Sequence, residues 1–170
     1  MPLLASYVSG INTRSYRLDD FDDYNNLISL AQHHGYPTPM LDWTESPYIA
    51  AYFALRDASP DQRRNMGLSC RVFAFDTEAF ASIGSQAGAL EVPHLCLYPV
   101  RAAARDSDRA APQQSAFLLA NVVEIEAFIA EAEQASGKRL LLKIDLPLAE
   151  SCTALDELRF MGLTEASLFP

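Results

Sequence analysis

The sequence predicts an α+β fold, a small curved sheet flanked by helices. The strand-like apolar runs are short, and helical segments are mixed among them without a strict β-α-β rhythm. The glycine-rich phosphate loops of open parallel sheets, GxGxxG and GxxxxGK, are both absent. A chain of 170 residues that is 49% hydrophobic and 21% charged can bury a sizeable core, which makes a single globular domain over 1–170 the expectation.

The elements follow in order. Residues 19–34 read as a helix, with Asp19 or Asp20 as cap and Phe21, Tyr24, Ile28 and Ala31 at helical spacing. Gly35 and Pro37 stop it. Met40–Trp43 is a short apolar strand candidate, and Ser46-Pro47 starts a second helix whose YIAAYFAL run should be buried on most sides. The polar stretch from Asp57 to Gly67 reads as a loop. CRVFAF, ending at Asp76, alternates as a strand, and Ala79–Ile83 adds a helical turn. His94–Val100 and Phe117–Val123 are further strand candidates, separated by a long exposed loop over Arg101–Gln114. A helix over Glu124–Ser136 closes at Gly137, a strand over Arg139–Leu146 ends at Pro147, and a helix over Glu150–Met161 closes at Gly162.

Charge and cysteine usage narrow the function classes. Thirteen Lys and Arg against 22 Asp and Glu leave a formal net charge of −9, which disfavours tight nucleic-acid binding through a broad basic face. A local basic strip at Arg56, Arg63, Arg64 and Arg71 reads more simply as a solvated face. Cys70, Cys96 and Cys152 lie far apart in apolar surroundings, so they read as small hydrophobes in a reducing compartment. No long apolar run or secretory leader pattern occurs, which makes the cytoplasm the expectation and membrane association disfavoured.

The chemistry-bearing segment is 31–55, AQHHGYPTPMLDWTESPYIAAYFAL. Adjacent His33 and His34 diverge in direction on any regular element and have no Cys or spaced His beside them, so no metal site is expected. They read equally well as satisfied helix-end histidines or as direct site residues. Asp42, the single tryptophan Trp43, Thr44 and Ser46 form the second group. One reading makes the three oxygen-bearing side chains caps of a turn. The other makes a ligand cradle, with Asp42 as acceptor, Trp43 as stacking wall and the following helix start as an anion-tolerant end.

The segment resembles the central signature of FRG domains, in which an AQHHG-type turn leads into LLDWT-x-SP and an apolar helix. Downstream, the Arg109–Phe117 stretch resembles R-x-x-x-Q-x-G-x-F, with Ser115 where glycine is usual. The end of the chain, Leu158–Pro170, resembles the family's closing helix, glycine turn and FP. On these blocks the resemblance runs from about residue 27 to 170. It implies an ADP-ribosyltransferase-like fold, a split sheet clasping NAD as substrate. Asp42 and Gln113 would then be catalytic. Trp43, Thr44 and Ser46 would grip the nicotinamide and its ribose, with His33 and His34 at the rim. The implied setting is a bacterial toxin or phage-defence module that meets an acceptor or antitoxin protein. No FRG or YRG tripeptide occurs; Tyr7-Val-Ser-Gly10 and Ser15-Tyr16-Arg17-Leu18 are partial echoes. That leaves a chain truncated on the N-terminal side, a diverged member, or one without catalysis. Glutamine at 113 can bond a ribose hydroxyl but cannot serve as a general base. A non-catalytic nucleotide- or protein-binding module of the same fold is the alternative.

Overall fold

A computed structural model describes residues 16–17, 19–33, 35–83, 97–101 and 111–169. The fold is mixed α+β, as the sequence predicts, with two small sheets and flanking helices. The chain groups into two compact units, each built from two separate stretches: residues 1–43 with 86–123, and residues 44–85 with 124–170.

In the first unit, helix α1 spans Phe21–His33. Its start is fixed by Asp20, whose carboxylate accepts the Asp23 N–H at 3.0 Å. Its end is fixed by Gly35, whose φ of 78° lies in the left-handed region. The Gly35 N–H donates to Gln32 O at 2.8 Å and the Tyr36 N–H to Ala31 O at 2.9 Å, closing the last turn twice. Strand β1, Met40–Thr44, follows. A three-stranded sheet has the order β1-β4-β3, with β3 at Leu97–Arg101 and β4 at Ser115–Ala120. β3 and β4 run antiparallel, with Leu97 opposite Ala120 and Arg101 opposite Ala116. The Ala120 N–H donates to Pro39 O, which sets the end of β4 beside the start of β1. The core of this unit joins Tyr16, Leu27, Ile28, Leu30, Ala31, Met40 and Leu119, with Tyr24 and Phe117 packed against it.

The second unit begins with α2, Pro47–Arg56, and α3, Pro60–Arg64. β2, Ser69–Phe75, leads through an Asp76 cap into α4, Thr77–Ser82. Helix α5, Ile125–Ser136, ends at Gly137 with φ 69°, and β5 spans Leu141–Pro147. A 3-10 turn at Leu148–Glu150 opens α6, Ser151–Phe160, and α7 spans Glu165–Leu168. β2 and β5 form an antiparallel ribbon in which Val72 faces Ile144. Helix α2 packs against α6 and β2. Ile49, Ile129, Leu140 and Leu168 are the unit's most deeply buried apolar side chains.

Several expectations change. The Asp57–Gly67 loop contains α3, because Ser59 and Gln62 form a reciprocal capping box around Pro60. Helix α2 is less enclosed than its apolar run suggests: Ile49 and Leu55 are buried, but Tyr48 and Phe53 are exposed. The strand expected over Phe117–Val123 begins and ends earlier, at Ser115–Ala120. Cys152 is exposed rather than buried, while Cys70 is half-buried and burial pushes its thiol up. Cys96, His94 and residues 102–110 of the expected loop lie outside the described residues.

The four arginines of the suspected basic strip are all engaged. Arg56 pairs with Asp57 at 3.2 Å and lies over the rings of Tyr52, Phe53 and Phe169. Arg63 donates to Arg56 O at 3.3 Å and to Cys152 Sγ at 3.5 Å. Arg64 meets Asp61 at 3.8 Å, and Arg71 makes a two-pronged pair with Asp145 at 2.6 and 3.0 Å. Among the described residues, no helix is long and apolar enough to cross a membrane.

Candidate functional site

β1 brings its chemistry to the end of α1 through simple alternation. Met40 and Asp42 are two residues apart, so their side chains leave the same face of the strand. Met40 fills the core among α1 residues. One pleat further on, Asp42 reaches the last turn of that helix, where Gln32 Nε2 donates to Asp42 Oδ1 at 2.6 Å. Gln32 occupies that place because it follows buried Ile28 by four residues and belongs to the turn closed by Gly35. Its amide is oriented from behind: Thr38 Oγ1 donates to Gln32 Oε1, and the Met40 N–H donates to Thr38 Oγ1 at 3.3 Å. A relay therefore runs from backbone to hydroxyl to amide to carboxylate.

This arrangement settles how Asp42 is held. Its partner is a side-chain amide, so the capping reading does not apply to it. Partial burial pushes the Asp42 carboxyl above the usual carboxylate range, and the Gln32 hydrogen bond pulls it partly back. By surface area the side chain is exposed. The protein beneath the carboxylate desolvates it, while its free side still meets water and limits the shift. An oriented carboxylate on an open surface can stabilise a developing positive charge or accept a ligand hydroxyl.

Trp43 follows Asp42 directly and therefore leaves the opposite face of β1. It is half-buried. A ligand touching both side chains must lie across the edge of β1, an outer strand of its sheet among the described residues. Gln113 is half-buried in the turn over 111–114 that leads into β4, the neighbour of β1. His33 is the last residue of α1, its side chain outside the description, and His34 lies outside the described residues.

Thr44 and Ser46 take the capping role. Thr44 Oγ1 accepts the Ser46 N–H at 3.1 Å, and Ser46 Oγ accepts the Ile49 N–H at 3.4 Å at the start of α2. Sequence reasoning missed Gln32 and Thr38. The signal for Gln32 was present, because Ile28 and Ala31 define the buried side of α1 and Gln32 is the next polar residue along it. The Thr38 link depends on the path of the 35–39 turn and left no such mark. Among the described residues, no group of three or more His, Cys, Asp or Glu could hold a metal ion.

A mixed α+β chain carrying an oriented surface carboxylate defines the class of protein only broadly. The comparison with family models is more specific: residues 6–63 match the FRG domain. The matched stretch contains Gln32, Thr38, Asp42 and Trp43. It begins earlier than the resemblance drawn from the motifs, and it takes in Tyr7–Gly10 and the Tyr16-Arg17 pair. The Arg109–Phe117 and Leu158–Pro170 blocks lie outside it. Tyr16 is a buried core residue, whereas Arg17 is exposed and paired with Asp19 at 3.0 Å. No curated protein and no solved structure matches the chain.

Proposed function

We propose that this chain is an ADP-ribosyltransferase-like FRG domain that binds NAD at the Gln32–Asp42 pair and transfers ADP-ribose from it. The observation that carries the reading is the Asp42 carboxylate, partly desolvated, oriented by the Gln32 amide and open to solvent inside the FRG-matched stretch. In the proposed reaction the bond between the ribose C1′ and the nicotinamide nitrogen breaks, and its electron pair leaves with neutral nicotinamide. Positive charge grows on the ribose, where a fixed carboxylate stabilises it. An acceptor oxygen, from water or another molecule, then bonds to C1′ and releases its proton to solvent. Gln32 keeps Asp42 aimed, and Gln113 contributes a hydrogen bond to a ribose hydroxyl rather than proton transfer. A toxin or defence setting, with an acceptor or antitoxin protein as partner, belongs to the same proposal.

A second reading, nucleotide or protein binding without turnover, is favoured by one feature: Gln113 offers an amide where proton abstraction would need a base. NAD titration of the chain, followed by calorimetry and by the fluorescence of the single tryptophan, tests binding first. A saturable signal lost in Asp42→Ala supports the proposal. No heat and no fluorescence change at millimolar NAD would leave partner binding as the better account.

A further inference from the structure

The two-stranded ribbon of the second unit has an edge whose hydrogen-bonding pattern can be read residue by residue. The Leu148 N–H donates to Leu68 O at 2.9 Å and the Asp76 N–H to Leu140 O at 2.8 Å, which brackets the β2–β5 ladder. Antiparallel pairs alternate, so the even-numbered residues of β5 turn their N–H and C=O groups toward β2. The odd-numbered residues turn theirs outward. Of these, Leu141 N–H is taken by Glu133 Oε1 at 2.9 Å, and Pro147 has no N–H. The outward donors left on β5 are those of Lys143 and Asp145, and among the described residues β5 forms a ladder only with β2.

The side chains match this short opening. On one face of the ribbon, Cys70, Val72 and Ala74 lie opposite Leu146, Ile144 and Leu142. Leu142 and Ile144 are 45% and 44% exposed, a high value for apolar side chains in the middle of a strand. The other face carries Arg71 paired with Asp145, and Lys143 paired with Glu126.

We propose that the outer edge of β5 pairs with a second copy of this chain, antiparallel and centred on Ile144. In that register Lys143 of each copy lies opposite Asp145 of the other, so opposite charges meet twice. Leu142 lies opposite Leu146 of the second copy, and the two Ile144 side chains meet at the two-fold axis. The Lys143 and Asp145 N–H groups of both copies find carbonyls, which uses every outward donor left on the strand. A shift of one residue in either direction loses the charge match and puts apolar side chains against charged ones. The interface is isologous, as a two-fold dimer requires, and it joins two ribbons into one four-stranded sheet with a continuous apolar face.

The register makes a positional prediction. The two Ile144 residues would form a non-hydrogen-bonded pair with Cα atoms about 4.5 Å apart, within disulfide reach. The two Leu142 residues would be roughly 13 Å apart, too far to bridge. In the full chain with Cys70→Ser, Cys96→Ser and Cys152→Ser, Ile144→Cys should form a covalent dimer under mild oxidation, while Leu142→Cys should not. The unsubstituted chain should sediment as a concentration-dependent dimer. Should Ile144→Cys fail to fold, the charge register is read instead. Lys143→Glu should weaken dimerisation by about tenfold. Adding Asp145→Lys should restore it, although the intrachain pairs with Glu126 and Arg71 stay broken. A monomer at all accessible concentrations, equal cross-linking at 142 and 144, or no recovery in the charge-swapped chain would overturn the proposal.

Discussion

Asp42 and Gln32 act as one object, and their behaviour with pH follows from how they are held. A carboxyl whose folded-state pKa lies above its unfolded value keeps its proton more tightly in the folded chain. Its contribution therefore favours folding below the unfolded pKa and is lost as pH rises through the folded pKa. Burial raises Asp42 in this sense. Asp42→Asn should accordingly gain on the native chain as pH rises from acid to neutral, which thermal melts across that range will show. A variant that loses stability steeply at neutral pH would mean that the negative charge supports the fold. Gln32→Ala removes the sole hydrogen-bond partner found for Asp42 among the described residues, and should cost about 1 kcal/mol, read by chemical denaturation. At this scale the sequence was half legible. Asp42 stood out as a carboxylate in an apolar strand. Its partner lies ten residues away across a turn, and such pairings leave little trace in spacing.

The elements were more readable wherever a cap or a periodicity fixed them. Asp20, Ser46 and Gly137 mark helix boundaries that the structure places within a residue or two of expectation. Misreadings came from weighing composition above caps: the polarity of residues 57–67 concealed the Ser59–Gln62 capping box. The apolar run of α2 likewise concealed that one side stays open. Gly137→Ala forces a side chain into the left-handed region and should cost about 1 kcal/mol or more, measured by denaturant unfolding. Glu133 accepts the N–H groups of Leu141 and Leu140, and those bonds hold its carboxyl below the usual range. A lowered carboxyl stabilises the fold above its unfolded pKa, and the benefit is lost as pH falls through the folded pKa. Glu133→Gln should thus be less stable than the native chain at neutral pH, and the gap should narrow in acid.

For the whole molecule, the α+β class was legible because no long periodic run and no phosphate loop pointed elsewhere. The division into two units was not legible, because each unit draws on two separated stretches of chain that no linker composition marks. The suspected basic strip also dissolved into pairs: Arg56–Asp57 and Arg64–Asp61 join near neighbours in the chain, whereas Arg71–Asp145 needed the fold. Because adjacent His33 and His34 diverge on any regular element and have no spaced His or Cys beside them, dialysis against a chelator should leave the melting temperature unchanged; a drop reversed by zinc would contradict this. The central claim, that Asp42 faces a reacting ribose, is tested most directly by nicotinamide release from NAD by the native chain and Asp42→Asn. Both rates are to be normalised to the folded fraction. The native chain should release nicotinamide measurably and the variant about 100-fold more slowly, the scale of losing one preorganised electrostatic group. Equal rates in the two chains would contradict it.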